Sequence, residues 1–217
     1  VTDDVDTCED TPEGTTVDES GCAVTFIYLD ENEVTVKATE YAVIGESYEL
    51  DEVSYIVVDR EMLISLFQNG EDLTKVVTSR VTSLGGFLSS IFCTTSTCEN
   101  IDFNQDISSW DVSNVTDLSN LFMSTNFNQD ISNWNVSNVI VISNMFYQAE
   151  SFNQDISNWD MGNVESFEYM FSQTESFNQD ISNWDVSNAY SLASMFRGAT
   201  SFNQDLSSWN VSNVTNC

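Results

Sequence analysis

Phe103-Asn104-Gln105-Asp106-Ile107-Ser108-Ser109-Trp110 decides the reading of this chain, because the chain writes it five times. Phe-Asn-Gln-Asp starts at Phe103, Phe127, Phe152, Phe177 and Phe202, at intervals of 24, 25, 25 and 25 residues. Each copy continues with Ile or Leu, then Ser, then Ser or Asn, then Trp. All five tryptophans (Trp110, Trp134, Trp159, Trp184, Trp209) hold this one place in the unit. A fixed period of this length marks a stacked repeat, in which equivalent positions lie above one another as columns.

Within a unit, Gln-Asp-Ile-Ser is expected to be a short strand, pairing in parallel with its neighbours at roughly 4.8 Å. The segment 114–122 is expected to be a turn and a short helix, because Leu118, Leu121 and Phe122 share a helical face. The same places recur as Ile142, Met145 and Phe146, as Phe167, Met170 and Phe171, and as Leu192, Met195 and Phe196. The fold class is therefore α/β: a leucine-rich-repeat-like solenoid over 102–217, one short parallel strand plus a short helix per repeat. The last unit stops in mid-pattern at Asn216-Cys217, so the natural chain is expected to continue.

Upstream the pattern changes. Residues 23–58 alternate apolar and polar residues between turn signals and read as a small antiparallel β module. Residues 59–101 read as an N-terminal cap shading into a degenerate first repeat. Asp59 would cap a helix carrying Met62, Leu63, Leu66 and Phe67, with Asn69-Gly70 as its stop. Val81-Thr82-Ser83-Leu84 looks like a worn copy of Val115-Thr116-Asp117-Leu118. A solenoid needs such a cap, since its first rung otherwise exposes an apolar end.

Composition bounds the partners. With 5 Lys plus Arg against 35 Asp plus Glu and no His, the formal charge is −30. Such a chain repels nucleic-acid phosphate and an anionic membrane surface. No run of 18 apolar residues is present, so no membrane insertion is expected. The chain lacks His and any Gly-rich phosphate loop, and its carboxylate pairs recur in every unit, whereas a catalytic site breaks symmetry once; an enzyme is not expected. Of the five cysteines, Cys8, Cys22, Cys93 and Cys98 form two sequence-local couples that suit disulfides better than a zinc site, which implies an extracellular setting. Cys217 is left over.

Two groups of residues carry resemblances. Asp3-Asp4-Val5-Asp6-Thr7-Cys8, followed by Thr11-Pro12-Glu13-Gly14 and Asp18-Glu19-Ser20-Gly21-Cys22, looks like the tail of a thrombospondin type 3 repeat. The resemblance implies calcium at Asp3 and Asp6, although the upstream half of that loop is missing; residues 1–22 otherwise read as an acidic linker. The unit Ser-Phe-Asn-Gln-Asp-Ile-Ser-Asn-Trp-Asp-Val-Ser-Asn-Val with a following Met-Phe resembles the BspA-like leucine-rich repeat surface proteins over 81–217. That resemblance implies a cell-surface or secreted protein that adheres to a protein or glycan partner, without catalysis.

Three columns are candidates for something other than core. The tryptophans are either core or an exposed row that stacks sugar rings. Two asparagine columns (Asn104 onward and Asn114 onward) are expected to satisfy backbone groups from rung to rung. The acidic column Asp106, Asp130, Asp155, Asp180 and Asp205 never changes to Asn, and Ser108, Ser132, Ser157, Ser182 and Ser207 flank it. Carboxylates about 4.8 Å apart repel by ~0.9 kcal/mol per pair even at the permittivity of water. Either each accepts a backbone N–H in a turn, or calcium or a cationic partner neutralises the row.

Overall fold

The computed structural model describes residues 16–89 and 101–217. Strand β1 (Ile27–Leu29) pairs antiparallel with β2 (Val36–Ala38). Strand β3 (Ser47–Leu50) pairs antiparallel with β4 (Val53–Val57), and β5 (Val76–Val77) adds to β4 in parallel. The β3–β4 hairpin turns on Asp51 and Glu52, both left-handed (φ 50° and 67°). A two-residue hairpin loop needs that backbone to match the strand twist.

Helix α1 (Arg60–Gln68) follows the sequence closely. The Asp59 carboxylate accepts the Met62 N–H at 2.9 Å, which satisfies a donor the first turn leaves over. Asn69 caps the other end, and Gly70 takes φ 73° beyond it. Leu63 is fully buried, and Phe67 meets Phe87 and Phe103 at 5.5 Å. One hydrophobic core runs from Val58 through this cap to Met195.

From Val81 onward the described chain is a stack of turns. It holds no strand and, from Ile101 on, no helix, which corrects both expectations for the repeat unit. Two consecutive four-residue turns replace the helix. Leu121 N–H donates to the Leu118 carbonyl and Thr125 N–H to that of Phe122. The third residue of each turn is left-handed: Asn120 and Ser124, then Asn144 and Gln148, Tyr169 and Gln173, Ser194 and Gly198. The intervening N–H groups reach the next rung instead: Leu118 to Val141, Asn120 to Ser143, Phe122 to Met145 and Ser124 to Tyr147, at 2.8 to 3.0 Å. A helix would have spent them on its own chain. Turns of four residues also bring positions i, i+3 and i+4 inward, so the apolar spacing could not tell them from a helix.

On the other flank the expected strand is absent for a local reason. Asp106 Oδ1 accepts the Ser108 N–H at 3.1 Å, and Trp110 N–H donates to the Ile107 carbonyl at 3.1 Å. The side chain bends the backbone, so Ile107 and Trp110 both point inward. The degenerate repeat is in place as the lowest rung: Leu84 N–H bonds the Asp117 carbonyl and Gly86 N–H that of Ser119, with Gly86 at φ 63°.

The β module lies against this stack. Val36 N–H donates to the Ser109 carbonyl at 3.0 Å and Ala38 N–H to Ser79 Oγ at 3.0 Å. Arg80 reaches back to the carbonyl of Thr39. Cys22 is disulfide-bonded and Cys217 is free and exposed. Cys8, Cys93, Cys98 and the calcium candidates Asp3 and Asp6 lie outside the described residues.

Candidate functional site

The tryptophan column is core. Trp110, Trp134, Trp159 and Trp184 are buried, and adjacent rings lie near parallel, 6.4 Å apart for Trp110–Trp134 and Trp134–Trp159. Each indole has a second task. Trp134 Nε1 donates to the Ile107 carbonyl, Trp159 to Ile131, Trp184 to Ile156 and Trp209 to Ile181, at 3.0 to 3.2 Å. Trp110 does the same to Leu73 in the cap. Each isoleucine carbonyl already accepts the N–H that closes its own turn, and the indole of the rung above gives its second lone pair a donor. Phe in this column would fill space and leave that oxygen with the turn N–H alone. The sugar-stacking row is set aside, because the faces are covered.

The first asparagine column is a ladder. Asn104 Oδ1 accepts the Asn128 N–H, and the pattern repeats to Asn153, Asn178 and Asn203 at 2.9 to 3.0 Å. Gln154, Gln179 and Gln204 each donate to the asparagine one rung below. In the second column Asn138, Asn163 and Asn213 donate to the carbonyls of Ser113, Ser137 and Ser187 at 2.7 Å. These two columns join rung to rung with side chains, as backbone bonds do at the paired turns.

The acidic column is exposed in every rung. Each Oδ1 accepts the N–H of the serine two residues on: Ser108, Ser132, Ser157, Ser182 and Ser207, at 2.9 to 3.1 Å. The backbone N–H of that serine holds the carboxyls of Asp155, Asp180 and Asp205 below the usual aspartate value, and the serine hydroxyl adds to it. A carboxyl lowered by folding stabilises the fold above its unfolded value, about pH 4, and ceases to do so as pH falls through the lower folded value. Acid titration is therefore expected to weaken the folded state below about pH 4. Asp180→Ala, which has no group to titrate and no acceptor, should show a smaller acid-dependent loss. Chemical denaturation at pH 5 and pH 3 reads both outcomes.

A turn acceptor alone does not require a charge. In the neighbouring column, Asn135 and Asn210 accept the N–H of Ser137 and Ser212 at 3.2 Å, in the place where Asp160 and Asp185 accept from Gly162 and Ser187. Asparagine performs the turn there, yet the outer column is aspartate throughout. Cations are scarce beside it. Lys37 pairs with Asp30, Lys75 lies 4.0 Å from Asp72, and Arg197 is the one basic residue after Arg80. Among the described residues no group of three or more His, Cys, Asp or Glu is placed to hold a metal ion.

Two shallow clefts mark the stack's sides. One, of about 280 Å³, is lined by Asp180, Ser182, Gln204, Asp205, Ser207 and Ser208. The other, of about 460 Å³, lies along Asn114, Thr116, Asn138, Ile140, Asn163 and Glu165. A third, apolar hollow of about 580 Å³ lies on the last rung, over Met195, Phe196, Leu206 and Trp209.

Stacked turns with a buried aromatic ladder and a repeated polar flank define a class of repeat protein. The chain belongs to the family described as Mycoplasma protein of unknown function, DUF285, whose model matches residues 60–174 and 155–217. That span starts at α1, so the cap belongs with the repeats. Comparison with curated proteins and with solved structures gave no match.

Proposed function

We propose that this chain is a non-enzymatic, extracellular surface module that binds a protein or glycan partner through the acidic flank of its stack. The finer likeness, to BspA-like leucine-rich repeat surface proteins, belongs to this reading. The observation that carries it is the unbroken row of exposed aspartates at a place where asparagine would serve the turn equally. Five carboxylates with no basic residue beside them keep a repulsive row, and a cationic partner or calcium would relieve it. Calcium at Asp3 and Asp6 is part of the proposal as a stabiliser.

A second reading has its own support. The side chains of both asparagine columns bond an adjacent rung, which suits a spacer that holds length and has no ligand. The triple variant Asp155→Asn, Asp180→Asn, Asp205→Asn separates the two. It is expected to fold, because Asn135 and Asn210 make the same turn, and to melt at or slightly above the parent temperature as repulsion falls. On arrays of glycans and purified extracellular matrix proteins, the parent should bind and the triple variant should lose that binding. A parent that binds nothing on either array supports the spacer. Melts with and without millimolar calcium complete the test, and an unchanged midpoint removes calcium.

A further inference from the structure

Asp111 is the exception in its column. Asn135, Asp160, Asp185 and Asn210 hold the same place in the other rungs and are exposed, whereas Asp111 is 3% exposed. Both of its oxygens are bonded. Oδ1 accepts the Ser113 N–H at 3.1 Å and the Ser113 hydroxyl at 2.6 Å, and Oδ2 accepts the Ser79 hydroxyl at 2.6 Å. Ser79 Oγ in turn accepts the Ala38 N–H at 3.0 Å. A chain of bonds thus runs from β2 through Ser79 to Asp111. Lys37 of the same strand brings a cation near. Its burial works against the charge, but the bond to Asp30 and the nearby Asp111 raise its pKa overall. A buried carboxylate is costly unless it is hydrogen-bonded and close to a cation, and the β module helps to supply both.

The same short segment reaches two further places on the stack. Val36 N–H donates to the Ser109 carbonyl at 3.0 Å, and Asn133 Nδ2 donates to Thr35 Oγ1 at 3.4 Å. Ser79, Ser109 and Asn133 belong to three successive rungs, since Asn114 donates to the Ser79 carbonyl as Asn138 does to that of Ser113. Arg80 of the lowest rung donates to the carbonyls of Thr39 and Ala42. Four consecutive residues, Thr35 to Ala38, therefore hold three rungs at once. Higher up, the indole, asparagine and turn bonds each join adjacent rungs, and Asn158, Asn183 and Ser208, the equivalents of Ser109 and Asn133, are exposed.

We infer that the β1–β2 hairpin is a strap, which binds the three lowest rungs and the β module into one unit that opens only as a whole, and leaves the rungs from Phe152 onward to open singly. In a stack with neighbour contacts alone, each rung opens at the cost of its own junctions. A segment bonded to three rungs removes that independence, because a lower rung that moves must break the strap or carry it along. A stretched molecule would lengthen from its upper rungs while its base stays folded. This is independent of the proposed binding role and applies to an adhesin and a spacer alike.

Native-state hydrogen exchange of the whole chain in rising urea tests this, read by mass spectrometry on peptides covering 26–40, 112–126 and 162–176. The urea slope of an opening scales with the surface it exposes. Peptides 26–40 and 112–126 are expected to share one slope, steeper than that of 162–176, and to be at least about tenfold better protected. Ser79→Ala cuts the link from Ala38 to Asp111. It should speed exchange in 112–126 at least about tenfold and in 162–176 less than about twofold. Lys37→Met should act in the same direction by removing the cation. Ser187→Ala, in the same column of an upper rung, should leave 26–40 and 112–126 unchanged. One common slope for all three peptides overturns the inference, as do separate slopes for 26–40 and 112–126. So does a folded Ser79→Ala chain that exchanges as the parent does. If Ser79→Ala fails to fold, the parent slopes and Lys37→Met decide the matter.

Discussion

Replacing Trp159 by alanine is expected to destabilise the chain by about 3–5 kcal/mol, the cost of emptying a large aromatic site in a packed core. The ring is buried, lies parallel to Trp134 at 6.4 Å and sits 6.4 Å from Phe146. Its indole also bonds the Ile131 carbonyl at 3.1 Å. Trp159→Phe separates the two contributions. It keeps most of the apolar volume and removes one of two donors, so about 0.5–1.5 kcal/mol is expected from the lost bond, because the Trp134 N–H still reaches the Ile131 carbonyl. Urea unfolding of the parent and both variants reads these values. If Trp159→Phe unfolds with the parent, the hydrogen bond contributes nothing and the column is aromatic for packing alone.

Leu63→Asp should be more damaging. Leu63 is the fully buried residue of α1, at the entrance to the common core. Losing a leucine there costs about 2–5 kcal/mol, and a carboxylate without a partner adds a desolvation penalty. The cap then separates from the lowest rung and exposes Phe87, Phe103 and Leu84. The expected outcome is loss of the cooperative melt together with soluble aggregates on size exclusion with light scattering. A monomer with the parent's melting temperature would show that the rungs stand without their cap.

What could be read from the chain, and what could not, follows from the kind of signal. The columns were legible because stacking multiplies each choice five times: Phe and Ile as core, Asn as ladders, with Trp left between core and an exposed row. The α1 cap was legible because Asp59 and Asn69-Gly70 are local signals with local causes. The backbone of the rung was not. Leu118, Leu121 and Phe122 fit a helix and a pair of turns alike, and only left-handed residues such as Asn120 and Tyr169 separate them. Gln-Asp-Ile-Ser looked extended until Asp106 took the Ser108 N–H. Strand β3 lies between Gly45-Glu46 and Asp51-Glu52, and its four residues are too few for alternation to stand out. Strand β5 is two residues long, below what alternation can reveal. The role of Asn133 depends on a segment about a hundred residues away, beyond any local pattern.

The near identity of the junctions between rungs has a consequence for how such a molecule changes over time. The contacts from the second rung to the third recur from the third to the fourth, atom for atom: the indole to an isoleucine carbonyl, the backbone N–H above to the asparagine side chain, the turn N–H groups to the turn above. Neighbour-only contacts make stability nearly a sum over repeats. Unequal recombination between copies so alike at the sequence level would therefore add or delete one whole storey and leave the chemistry at both ends intact. Copy number becomes a heritable dial for reach, turned without redesigning any side chain.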